Sequence, residues 1–87
     1  MDGNGYKTVT IFCKSASLIH KSGQTIYLKK VTFGANSWAH VSGKVNFFHG
    51  PLESELENKV VFKSDIFPSF TLEVDKSSWE KAKLLLS

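Results

Sequence analysis

The side chains able to do chemistry in this sequence are three histidines, one cysteine, and scattered hydroxyls and carboxylates. Their spacing matches no reactive constellation. His20, His40 and His49 stand too far apart along the chain to form a local pair of metal ligands, and a lone cysteine excludes a cysteine-rich zinc site. Cys13 alternates with Val9 and Ile11, so it reads as a buried, inert thiol rather than a nucleophile. No serine stands in a nucleophile elbow, and Gly34 and Gly43 are isolated turn or kink glycines rather than a phosphate-binding loop. The expectation is a protein that is not an enzyme and that holds no cofactor and no metal.

What the sequence supplies instead is rings and charge. Seven Phe, two Tyr and two Trp in 87 residues are more aromatic surface than one small core needs. All eleven basic residues are lysine, with no arginine among them. Lysine offers a point charge on a flexible stem, without the planar fork that grips phosphates and guanine edges. A lysine-only repertoire is also what AT-rich coding sequences produce, those of phages and other mobile elements among them. The charge is uneven along the chain. Residues 1–49 carry six Lys against one Asp, whereas residues 50–87 carry five Lys against five Glu and two Asp.

The elements that must position these groups are strands. Period-two alternation runs from Tyr6 to Phe48: first Val9, Ile11 and Cys13, then Ile26, Leu28, Val31 and Phe33, then Ala39, Val41, Val45 and Phe47. Ile26 and Leu28 fall on one parity and Val31 and Phe33 on the other, so a bulge at Lys29-Lys30 is expected to bring all four to one side. Turns are expected at residues 21–24 and 34–37. Gly50, Pro51 and the Leu52/Leu56 pair suggest a helical turn or two ending at Asn58. Short strands follow around Val60–Phe62 and Phe70–Val74. Ser77 and Glu80 form a capping box for a C-terminal helix with an apolar stripe of Trp79, Ala82 and Leu85/Leu86. The fold class is therefore α+β: a small antiparallel five- to six-stranded β-meander, or a partly open barrel, with a short C-terminal helix. Residues 1–5 read as a flexible tail and 6–87 as one β-rich domain. No charged-then-apolar leader or membrane span is expected, and one cysteine without a disulfide partner suits the cytoplasm.

With the apolar parity turned inward, the opposite face carries Phe12, Lys14, Tyr27, Lys29, Trp38, His40, Lys44 and Phe48. Aromatics rimmed by lysines suit a larger protein with an acidic surface, the rings anchoring and the lysines steering, and an exposed β edge could add backbone contacts. The expected function is a protein-binding module: an inhibitor, adaptor or regulatory factor. The alternative is single-stranded DNA or RNA binding on the same face in an OB-like manner, with bases stacked on the rings. A homodimer through the aromatic face is compatible with either. If the sheet curls, Phe12, Trp38 and Phe48 become core instead.

Overall fold

The computed structural model describes residues 7–42, 47–65 and 70–87. The expected tail at residues 1–5 lies outside them. Six strands appear in these segments: β1 (Thr8–His20), β2 (Thr25–Gly34), β3 (Trp38–Ser42), β4 (Phe47–Glu55), β5 (Lys59–Lys63) and β6 (Phe70–Asp75). A helix, α1 (Lys76–Leu86), follows directly. The strands run antiparallel in sequence order, and β6 returns to pair with β1, closing a barrel. The curled alternative of the expected fold class is the one adopted.

The long first strand makes closure possible. Its first part pairs with β2, while Ala16 to Ile19 pair with β2 on one side and β6 on the other, and His20 pairs with β6. Between these parts the β1–β2 register shifts, because Cys13, Lys14 and Ser15 stand opposite Lys29 alone. Both strands change parity there. Ile11 and Val31 point inward on one side of the shift, Ala16 and Leu18 on the other, and Lys29 and Lys30 are both exposed. The parity change expected at Lys29-Lys30 is present, but the extra residues belong to β1.

A bulge leaves backbone donors without a ladder partner, and here the helix start accepts them. Ser15 N–H donates to Asp75 Oδ1 at 2.9 Å and Lys14 N–H to Ser78 Oγ at 3.2 Å. Asp75 is also the helix N-cap, accepting from Ser78 N–H at 3.0 Å. The cap is thus Asp75 rather than Ser77, and Ser77 donates its hydroxyl to Asp75 instead of capping by itself. Burial pushes the Asp75 carboxyl up, but hydrogen bonds from Ser77, Ser15 and Ser78 outweigh it and hold the group below its usual value.

The interior is filled from all six strands and closed by the helix. Phe33 on β2 and Phe62 on β5 are fully buried and approach to 5.9 Å between ring centroids. Trp79 packs on both, at 5.5 Å and 5.4 Å. Strands β2 and β5 face each other across the ring of six, so Trp79 bridges opposite walls. Ala82 is buried beside it, whereas Leu85 is 56% exposed and falls off the expected stripe.

Two expectations are overturned. The segment after Gly50 is no helix: Phe47–Glu55 is a strand paired with both β3 and β5. Its burial alternates along the strand, with Leu52 and Ser54 half-buried and Glu53 and Glu55 exposed, and Gly50 lies so close to the Lys63 backbone that a Cβ there would collide with the Lys63 carbonyl. Phe48 is buried completely and Phe47 is 42% exposed, the reverse of the expected parity. The cause is a chain reversal inside what read as one strand. Val41 pairs with Phe48 and Ser42 with Phe47, and directly paired residues share a face. The expected inner residue Val45 lies outside the described residues.

Candidate binding face

The outward face of β1–β4 is a regular array set by the strand registers. One row across the strands is Thr8, Gly34, Trp38 and Pro51, and the next is Thr10, Thr32, His40 and His49. A third contains Phe12 opposite Lys30 on one side and Ser42 opposite Phe47 on the other. Their inward-pointing neighbours Ile11, Val31, Phe33, Ala39, Val41 and Phe48 are core, which fixes the array on the outside.

Local contacts hold the rings in place. A Cβ at Gly34 would collide with the Trp38 indole, so the indole lies across the glycine and covers it. The three-residue connection before Trp38 places Ser37 at φ 62°, the left-handed end of a common hairpin loop. Trp38 meets His49 at 5.0 Å, His49 meets His40 at 5.8 Å, and His40 meets Phe47 edge-on at 5.4 Å. Thr10 and Thr32 share a hydroxyl hydrogen bond of 2.8 Å. His49 Nδ1 lies 3.2 Å from Asp65 Oδ2, which orients the ring and leaves its other nitrogen for an incoming group. Burial, and then the neighbouring His49, hold His40 below the ordinary imidazole value.

Two concavities open on this face. One of about 550 Å³ is lined by Asn36, Trp38, His49, Pro51 and Asp65. The other, of about 250 Å³, lies between β2 and β3 where the strands part, lined by Thr10, Lys30, Thr32, His40, Val41 and Ser42.

The eight expected site residues separate into groups. Trp38 and His40 sit together on the array, and Phe12, 77% exposed, lies on the same wall two strands away. Phe48 is core and leaves the site. Lys14 and Lys29 sit in the register shift itself, and Tyr27, 84% exposed, lies beyond it on the far part of the β1–β2 hairpin. Lys44 lies outside the described residues. Sequence reasoning missed Lys30, Phe47 and His49. Gly43 and Asn46, residue types that favour turns, were the signal that β3 ends and a new strand begins.

Among the described residues no group of three or more His, Cys, Asp or Glu side chains could hold a metal ion. Cys13 is half-buried; its thiol donates to the Ile11 carbonyl at 3.7 Å, and burial pushes its pKa up to about 11. That is the opposite of what a nucleophile requires. No helix among the described residues is long and apolar enough to cross a membrane. No model of a known protein family matches the chain, and no curated protein or solved structure shows significant similarity to it.

Proposed function

We propose that this chain is a small protein-binding module, an inhibitor, adaptor or regulatory factor, that engages a larger protein through the outward face of β1–β4. The observation that carries the reading is contiguity: Trp38, His49, His40 and Phe47 touch ring to ring on the outside of β3 and β4, and Phe12 stands on the same barrel wall across Lys30. Rigid aromatic anchors at such positions lose little side-chain entropy on binding. Removing a large apolar side chain from water is worth about 1.5–3 kcal/mol. The hydroxyl and imidazole groups between the rings offer hydrogen bonds of the kind an interface core uses. A reducing, cytoplasmic setting suits the free Cys13 thiol.

A second reading, single-stranded nucleic acid on the same face, draws on the pairing of exposed Phe12 with Lys30. It is the weaker one. Among the described residues Lys30 is the lysine that the array itself presents, whereas a phosphate backbone needs a track of cations beside the stacking rings. The strand order also runs sequentially round the barrel, unlike the five-stranded Greek key of an OB-fold.

Affinity capture from a lysate of the source, quantified by mass photometry, separates the readings. The protein reading expects a stoichiometric protein partner that the folded Phe12→Ala/Phe47→Ala variant fails to retain. Oligonucleotide binding that weakens steeply with salt, with no protein retained, would replace it with the second reading.

A further inference from the structure

We infer that the free edge of β2, over Thr25–Lys30, is a docking site for an acidic, extended segment of the partner, which adds to the barrel as an extra strand. This rests on the protein-binding reading above and specifies how part of that partner is held.

The edge is created by the unequal lengths of the strands. On β1 the partner residues of β2 run from Gly34 back to Thr25, but β3 pairs with β2 only at Thr32, Phe33 and Gly34. Among the described residues no strand pairs with Thr25–Val31 on the side away from β1. Backbone N–H and C=O groups there face outward and can accept a further strand. The comparable stretch on β1 is covered, since Asp75 and Ser78 of the helix start take the Ser15 and Lys14 amides. The β2 edge has no such cover from α1.

Charge selects the occupant. Residues 7–34, the whole β1–β2 hairpin, contain Lys7, Lys14, Lys21, Lys29 and Lys30 and not one Asp or Glu. Lys29 and Lys30 stand on the open strand itself, both exposed. A second copy of the chain would bring an identical row of lysines to the same edge and be repelled, whereas an acidic strand is attracted. Tyr27, 84% exposed on this strand, gives the incoming strand a ring surface to lie against. The edge begins where β2 and β3 part, at the 250 Å³ cleft between Lys30 and Ser42. A strand placed there runs straight off the aromatic array, so one partner can occupy both.

The test uses the full chain and a short alternating glutamate–valine peptide as probe, read by amide hydrogen exchange and by chemical-shift mapping. Exchange of the outward-facing amides within Thr25–Lys30, those not bonded to β1, should slow about tenfold with saturating peptide. The same peptide N-methylated at alternate residues, which keeps the charge but cannot pair on its methylated side, should give no such protection. A lysine–valine peptide should not bind, and Lys29→Glu/Lys30→Glu should abolish the effect while leaving the thermal midpoint near that of the parent. No binding by the glutamate–valine peptide, or equal effects from the N-methylated one, would overturn the inference. A partner captured through the aromatic face but retained equally by the Lys29→Glu/Lys30→Glu variant would also overturn it, while leaving the protein-binding reading standing.

Discussion

Adjacent phenylalanines in β4 should behave oppositely when truncated, because one points into the barrel and the other out of it. Phe48 is 0% exposed and paired with Val41 on the core face. Phe48→Ala removes a fully buried ring and leaves a cavity that a closed barrel wall cannot readily collapse, a cost of about 3–5 kcal/mol. Phe47 is 42% exposed and touches His40 edge-on, so Phe47→Ala should cost about 1 kcal/mol. At about 0.05–0.15 kcal/mol per residue, a chain of this length is stable by roughly 4–13 kcal/mol, so the first change removes a large share of the total. With roughly 4–8 °C per kcal/mol for a domain this small, Phe48→Ala should lower the midpoint by about 12–40 °C and Phe47→Ala by no more than about 8 °C. Urea and thermal unfolding followed by circular dichroism measure both. If the two substitutions cost the same, or if Phe47→Ala costs more, the Val41–Phe48 register and the face built on it are wrong.

Other expectations concern the helix cap, the histidines and the glycines. Asp75→Ala removes both the N-cap acceptor and the acceptor for the Ser15 amide, and should cost about 2 kcal/mol in urea unfolding. Because the folded Asp75 carboxyl sits below the ordinary carboxyl value of 3.8, its contribution is present above that value and is lost as pH falls through the lower folded one; Asp75→Asn should flatten that acid limb. His40 is held below 6.5, so its contribution is likewise intact above that pH and is lost as pH falls through the depressed value; His40→Phe should reduce the loss of thermal stability on acidification below neutrality. Gly34→Ala should push the half-buried indole of Trp38 outward and red-shift its fluorescence at small cost, since a side chain can give way. Gly50→Ala, which meets the Lys63 backbone, should cost several times as much in the same unfolding assay.

Much of the barrel was legible because a half-buried strand writes its two faces into alternate residues. Ile11, Val31, Phe33, Ala39 and Val41 were placed correctly on that basis, and the parity break at Lys29-Lys30 was visible as two polar residues between apolar ones. Closure was not legible, since it depends on β6 reaching β1 across the intervening strands. The reversal between Ser42 and Phe47 was hidden because Val41, Val45 and Phe47 keep one parity through it, and this error exchanged Phe47 with Phe48 in the candidate site. Gly50-Pro51 looked like a helix start because the same residues suit a strand whose glycine packs against a neighbouring backbone. The cap moved from Ser77 to Asp75 because the bulge on β1, far away in sequence, needed a carboxylate at that point. His49 joined the site only through strand pairing with His40, a contact no local pattern encodes.

The central claim, that the outward face of β1–β4 receives a protein partner, is tested most directly by hydrogen exchange on the captured complex. Protection should appear in peptides covering Thr8–Phe12, Lys30–Gly34, Trp38–Ser42 and Phe47–Pro51, with α1 and the outward residues of β5 unchanged. Protection centred on α1 or β5 instead, with the β1–β4 peptides exchanging as in the free protein, would contradict it.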